Sequence, residues 1–217
     1  MPLRLAIFDC DGTLVDGQHD ICAAMEEAFA GLALLAPNRA AIRRIVGLSL
    51  PGAMRQLAPE ADDALVEALV EGYKAAFRRA RSEGRLGEPL FAGVRALLDG
   101  LRADGWALAV ATGKSDRGLA HCLATHGLTD HFISLQTADR HPSKPHPAMI
   151  EAALADAMAE PCEAVMIGDT SYDIVMGLNA GVRALGVGWG YHAPAELLAA
   201  GAEAVAQSPQ ELRELLG

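Results

Sequence analysis

The sequence predicts an α/β fold: a Rossmann-like parallel sheet core with a helical unit inserted after the first strand. Three observations predict it. Short apolar runs recur at Leu3–Phe8, Trp106–Ala111, His131–Leu135, Ala164–Ile167 and Val182–Val187. Amphipathic stretches at Val94–Arg102, Ser115–His126, Pro147–Ala159 and Tyr172–Asn179 lie between them, and strand alternating with helix is the pattern of a parallel sheet with right-handed crossovers. The third observation is a break in that rhythm: about 90 residues separate Asp16 from the run at Trp106, where a βαβ unit needs only about 30.

In chain order, Leu3–Phe8 has Arg4 as its one polar residue and stops at the polar turn Asp9-Cys10-Asp11-Gly12-Thr13, as a strand buried on both faces does. Residues 17–86 hold no strand pattern. They read as helices at Asp20–Ala33, Asn38–Ile45, Gly52–Leu57 and Asp62–Ala80, with Asn38 and Asp62 as N-caps and Pro37, Pro51 and Pro59 at the breaks. Gly17 leads into this insert, and Gly84, Gly87 and Pro89 lead out of it, as hinge segments. Residues 17–90 carry nine Lys/Arg against ten Asp/Glu, and the remainder nine against eighteen, so the negative charge belongs to the sheet portion. The expected division is a core of residues 1–16 and 87–217 and a helical cap of residues 17–86.

Length and composition bound the function. A chain of 217 residues, 51% hydrophobic and 21% charged, buries a core of its own and is globular. A net charge of −10 excludes a basic nucleic-acid face. No apolar run approaches the ~20 residues of a membrane span. The opening MPLRLAIFDC has no long apolar run before a small-residue cleavage site, so a cytoplasmic location is expected. Cys10, Cys22, Cys122 and Cys162 form no C-x-x-C pair and are expected to be reduced and buried. Oligomeric state is not legible.

Four motifs carry chemistry. Asp9 and Asp11, two apart at a strand tip, reach one site if the chain turns there. Two carboxylates in one place repel unless a cation or a shared proton relieves them. Gly12 permits the tight turn, and Thr13 offers a hydroxyl expected near a helix start; the other reading is an acidic turn that caps a helix. Thr112-Gly113-Lys114-Ser115 ends one strand and opens a helix, whose first N–H groups suit phosphate, though Thr-Gly before a helix is also an ordinary turn. Lys144, in a loop stiffened by Pro145 and Pro147, can neutralise a phosphoryl group or simply be a loop lysine. In Gly168-Asp169-Thr170-Ser171-Tyr172-Asp173, Asp169 suits a metal and Asp173, one helical turn on, suits orienting it or pairing with Lys144; each is also an ordinary helix-start acid. Every motif lies beyond a predicted strand, so the sheet brings all four to one edge. Clustered carboxylates without histidine or cysteine suit a hard cation such as Mg²⁺. Lysine, hydroxyl and helix-start amides suit phosphoryl oxygens. The residues alone therefore point to metal-assisted phosphoryl transfer.

This order, DxDGT, Thr-Gly-Lys, the lysine of KPHP and GDTSYD, resembles the haloacid dehalogenase-like hydrolase superfamily along nearly the whole chain. A helical insert straight after the first motif is similar to the cap of its phosphoglycolate phosphatase and β-phosphoglucomutase branch. The resemblance implies Asp9 as the nucleophile that becomes an aspartyl-phosphate, and Asp11 as the acid, then base. It implies Thr112 and the Gly113 amide as holders of phosphoryl oxygens, and Lys144 as the charge that offsets them. It implies Asp9, the Asp11 carbonyl and Asp169 as Mg²⁺ ligands, supported by Asp173. The implied activity is a Mg²⁺-dependent phosphatase for a small phosphorylated metabolite, phosphoglycolate-like. Ala92-Gly93 stands where related chains often have Pro-Gly, which bears on hinge stiffness. A phosphomutase of the same fold and a non-catalytic binding protein are the alternatives. A dehalogenase needs neither Asp11 nor a metal site.

Weaker features remain. Cys10 reads as buried packing, and His141 and His146 as loop residues that flank Lys144. Lys74, Arg78, Arg79, Arg81 and Arg85 read first as a solvated helix face, with an anionic substrate as the second reading. Arg43, Arg44 and Gly47-Leu48-Ser49 are candidates for substrate contact from the insert, and Trp189 and Tyr191 for core or site rim.

Overall fold

The computed structural model describes residues 4–217; Leu3, expected to open the first strand, lies outside them. Six parallel strands form one sheet: β1 (Leu5–Phe8), β2 (Ala107–Thr112), β3 (Ser134–Thr137), β4 (Ala164–Gly168), β5 (Arg183–Val187) and β6 (Ala204–Ala206), in the order β3-β2-β1-β4-β5-β6. Helices α1 (Gln18–Gly31), α2 (Arg39–Arg44), α3 (Leu50–Leu57) and α4 (Asp63–Ser82) all fall between β1 and β2. The others are α5 (Val94–Ala103), α6 (Asp116–Thr125), α7 (Ala148–Ala157), α8 (Ser171–Asn179), α9 (Pro194–Ala199) and α10 (Pro209–Leu216).

β1 is central because it is apolar on both faces. Ala6 and Phe8 point into one layer with Leu108, Val110 and the helices α5, α6 and α10. Leu5 and Ile7 point into the other with Ala109, Met166 and α7. Each such large side chain, wholly buried, contributes about 1.5–3 kcal/mol. The register pairs Phe8 with Val110 on one side and with Ile167 on the other, so the strands end level. Chain order reverses at β1, and the crevice this leaves at the carboxyl edge is where open α/β sheets place their sites.

α1–α4 have an apolar cluster of their own, with Met25, Phe29, Ile42, Met54, Val66 and Leu69 buried in it. Asn38 and Asp62 cap α2 and α4, accepting from the backbone N–H groups of Ala41 and Leu65 at 2.8 Å each. The two connections to the sheet run side by side. Asp16 N–H donates to Pro89 O, Phe91 N–H donates to Leu14 O, and Val15 bridges Leu90 antiparallel.

Several expectations need correction. His131 lies in a short 3₁₀ turn, and β3 begins only at Ser134. β6, α9 and α10 had no counterpart in the reading. β6 is only three residues of small apolar type, and the last helices are short and alanine- or charge-rich. Thr13 does not start a helix: α1 begins at Gln18, because the turn at residues 10–15 folds back on itself, with Gly12 N–H donating to Val15 O. Cys162 is exposed, while the other three cysteines are buried, and all four are free.

Candidate active site

The carboxyl ends of β1, β2 and β4 deliver the functional groups. Asp9 follows β1, Thr112 ends β2 and Asp169 follows β4. Asp9 N–H donates to Ile167 O at 2.9 Å, which clamps the first motif to the fourth. Gly12 sits at φ +84°, and a Cβ there would lie 2.1 Å from Asp169 Oδ2, so both the turn and the close approach require glycine. In place of a helix-capping role, the Thr13 hydroxyl donates to Asp169 Oδ1 at 2.9 Å. The Tyr191 N–H donates to Asp169 Oδ2 at 2.9 Å.

Lys144 is the hub. Its side chain is fully buried, with Nζ 2.9 Å from Asp9 Oδ1 and 2.6 Å from Asp173 Oδ1. Asp173 is oriented in turn by Thr170, whose N–H and hydroxyl both donate to Asp173 Oδ2, at 3.0 and 2.7 Å. Of the two sequence readings for Asp173, pairing with Lys144 is therefore the one seen. Asp9 Oδ1 also accepts from the Cys10 N–H at 2.6 Å, whereas Asp9 Oδ2 is buried with no partner.

Asp9, Asp169 and Asp173 each bring an oxygen within 4.8 Å of the others. Three buried carboxylates against one lysine leave an uncompensated negative charge. Burial pushes the Asp9 carboxyl up to about 7, with Lys144 pulling it down and Asp173 and Asp11 pushing further up. Burial likewise raises Asp169 well above the usual carboxylate range, and Asp173 and Asp9 add to the effect. Burial works against the Lys144 ammonium, but Asp173 and Asp9 outweigh it and hold the lysine charged. An all-oxygen donor set, a surplus of negative charge and the orphaned Asp9 Oδ2 fit a hard divalent cation.

The Asp11 carboxylate leaves this cluster. Its Oδ1 lies 3.0 Å from Lys114 Nζ, an ion pair without hydrogen-bond alignment, and the same ammonium donates to Glu88 Oε1 at 2.5 Å. Burial raises the Asp11 carboxyl, Lys114 lowers it and Glu88 raises it again. Thr112 Oγ accepts from the Lys114 N–H at 3.3 Å. The α1–α4 unit lies close against this edge. A Cβ on Gly113 would be 2.6 Å from Gly47 O, and the Ser49 N–H donates to the Ser143 hydroxyl beside Lys144. Between the unit and the sheet edge is a cavity of about 490 Å³. Asp9, Asp11, Thr112 and Gly113 open onto it.

A model of the haloacid dehalogenase-like hydrolase family matches residues 6–187. The chain belongs to that family. Among its relatives, the "Probable phosphatase IndB" of Dickeya dadantii is 37% identical over 96% of this chain and 91% of that protein. The phosphoglycolate phosphatase of Cupriavidus necator is 30% identical over 100% and 94%. The crystal structure of a hydrolase from Pseudomonas syringae superposes with a TM-score of 0.86 at 26% identity, over 98% of this chain and 97% of that one. The chain is a phosphatase of the haloacid dehalogenase-like family, built on its six-stranded parallel sheet.

Against that family constellation, Lys114 and Glu88 are what the sequence reading missed. Lys114 stood inside the quoted Thr-Gly-Lys motif, but only the fold shows that it meets Asp11. Glu88 sits in the connection out of the α1–α4 unit and has no motif of its own. Arg44 was a candidate for substrate contact; instead it pairs with Glu196 of α9, at 2.6 Å, and Arg43 does not line the cavity. The Gly47–Ser49 loop does line it. His141 bonds Gln136, and Trp189 donates to Thr13 O, so neither reaches the cavity. Tyr191 packs on the α1–α4 cluster and holds Asp169 through its backbone.

Proposed function

We propose that this phosphatase hydrolyses a small phosphorylated metabolite through an aspartyl-phosphate on Asp9, with Mg²⁺ as cofactor, in the cytoplasm. Residues 17–86 act as its cap, and residues 1–16 and 87–217 as its core. The observation that carries the reading is the lysine-centred cluster at the sheet edge: Asp9 is held by Lys144 at one oxygen and left free at the other, at the floor of a cavity. Asp9 attacks phosphorus, and the bond to the ester oxygen breaks. Asp11, in its protonated form, donates to the leaving oxygen; as carboxylate it then takes a proton from water, which attacks phosphorus and frees Asp9. Burial and Glu88 favour the protonated acid, and Lys114 restrains them. Thr112 and the Gly113 amide hold phosphoryl oxygens, and Lys144 offsets the charge of nucleophile and phosphoryl group. Mg²⁺, held by Asp9, Asp169 and the Asp11 carbonyl with Asp173 in support, would supply further positive charge where two anions must meet. Phosphoglycolate is the leading substrate, since a relative as similar as the Cupriavidus necator protein bears that name.

The test is phosphate release from a panel of small phosphate esters, with and without Mg²⁺, for wild type and Asp9→Asn. Mg²⁺-dependent release that falls by about 10⁴-fold or more in Asp9→Asn is expected. Release that survives in Asp9→Asn removes Asp9 as nucleophile.

A further inference from the structure

The basic residues of positions 78–85 divide in two. Arg79 pairs with Glu27 and Arg85 with Glu83, both away from the cavity. Arg78 and Arg81, three apart on α4 and therefore on one face, line the cavity, and Arg117 lines it from α6 of the core. None of these three side chains has a salt-bridge or hydrogen-bond partner among the described residues. Arg81 is the telling one, because its Nε is buried and unsatisfied. A buried guanidinium N–H without an acceptor costs free energy unless a ligand supplies the acceptor.

The acids of the same cavity do not fill that need. Asp9 is held by Lys144, and Asp11 and Glu88 by Lys114. Asp139 accepts from the Asp116 N–H. Each acid that lines the cavity thus has a partner within the chain, with Asp9 Oδ2 alone left open on the side that suits a cation, whereas the three arginine side chains have none, in a chain whose net charge of −10 would otherwise repel an anion. Its volume of about 490 Å³ is that of a pocket for a ligand well beyond a bare phosphate, and Tyr73, Phe77 and Met25 give it an apolar wall.

We propose that Arg78, Arg81 and Arg117 form a second anion subsite, which takes the acidic group, carboxylate or phosphate, at the end of the substrate remote from the phosphoryl group that is transferred. The inference rests on the phosphatase reading for the placement of the first phosphoryl group. Arginine presents a planar fork of donors suited to either acid. Because α4 belongs to the cap and α6 to the core, a ligand engaged by both ties cap to core, and substrates lacking the second charge lose that tie.

The experiment uses non-hydrolysable phosphonates, so that it does not depend on turnover. Affinities of ω-phosphonoalkanoates of two to six carbons, and of α,ω-bisphosphonates, are measured calorimetrically against alkylphosphonates of equal length, in Mg²⁺. The expected result is a preference of about tenfold for a doubly acidic ligand at the best length, with the carboxylate and bisphosphonate arms showing which acid fits. Arg81→Gln should bring that preference towards one, and Arg78→Gln and Arg117→Gln should reduce it, while Arg79→Gln keeps the wild-type ratio. Using three variants on two helices guards against one that folds poorly, which a melting curve identifies. No preference at any length, or a preference untouched by all three substitutions, overturns the subsite. Hydrolysis of the matching phosphate esters is then assayed. A preference that tracks the arginines without any hydrolysis would leave the subsite standing and bring down the phosphatase reading instead.

Discussion

The sheet edge and the α1–α4 unit handle charge in opposite ways. At the sheet edge, Lys144, Asp9 and Asp173 are wholly buried, the lysine pairs with both acids, and each carboxylate is further oriented by a backbone N–H or a hydroxyl, with Asp9 Oδ2 alone left open. On α4, Arg78 and Arg81 line the cavity, and among the described residues neither side chain is paired with an acid. The core cluster is organised before any ligand arrives, as electrostatic catalysis requires. In the proposed subsite, the α4 arginines await an anion that the chain itself does not supply. On the proposed function, this contrast divides the residues given the chemistry from the residues given the choice of substrate.

The sharpest way to break the contrast is Lys144→Met beside Arg81→Gln. Removing the buried lysine leaves Asp9 and Asp173 facing each other uncompensated, which should cost about 3–5 kcal/mol of stability. Phosphate release should fall by about 10²-fold or more. Arg81→Gln removes no internal partner and should shift unfolding by about 0.5 kcal/mol or less. Denaturant unfolding of both variants decides it. Equal destabilisation would mean that Arg81 is structurally paired and that the contrast is false.

The second effect concerns Mg²⁺ and pH. Asp9 is raised in the folded chain to about 7, from about 4 when unfolded, so the folded state holds the extra proton between these values. Its stabilising contribution is complete below about pH 4 and lost as pH rises through about 7. Asp169 shifts in the same direction. The metal-free protein should therefore weaken across this window. Mg²⁺, which needs the ionised carboxylates, should stabilise it more at about pH 8 than at about pH 5, by about 2.7 kcal/mol at one hundred times its Kd. Melting in chelator and in Mg²⁺ at both pH values is the measurement. A gain that does not depend on pH would place the ion elsewhere.

A smaller effect sits in the connection out of α4, where Glu88 meets Lys114. Lys114 and Glu88 pull Asp11 in opposite directions. Glu88→Gln leaves the lysine unopposed and lowers the Asp11 pKa. The alkaline limb of kcat, which reports the acid in the enzyme–substrate complex, should move down. Lys114→Met should move it up. Shifts of the same sign in both variants would detach the pair from Asp11.

These differences also explain what was legible in the sequence. Asp9, Asp11, Thr112 and Asp169 stand at or just past the ends of strands, Lys144 in the loop between β3 and α7 and Asp173 in the first turn of α8, and a parallel sheet with level strand ends converges the segments that follow its strands. β1 was legible because burial on both faces demands an unbroken apolar run. β6 was not: Ala204–Ala206 is too short to show a period. Thr13 was misassigned because a hydroxyl after a turn looks the same whether it caps a helix or, as here, holds Asp169. Lys114 and Glu88 are 26 residues apart, and no spacing rule connects them. Of five basic residues at 74–85, only the fold shows which face the cavity, since Arg79 and Arg81 differ by a rotation about the helix axis and not by composition.

The smallest expected effect tests whether cap and core are energetically separate. Asp62 caps α4, accepting from the Leu65 N–H at 2.8 Å at the end of the helix remote in sequence from Arg78 and Arg81. Asp62→Ala frees one backbone donor at the helix start and should cost about 1 kcal/mol. α4 packs on α1 through the cap's own cluster, with Val66 and Leu69 buried there. The loss should therefore appear in cap unfolding, read by hydrogen exchange of α4 amides, with the exchange of β1 and β4 amides little changed. Turnover should change by less than about threefold, because the residues at the sheet edge keep their partners. An equal rise in exchange across α4 and β1 would show that the cap and the sheet unfold as one cooperative unit. The division of labour between them would then be chemical only, with no thermodynamic boundary beneath it.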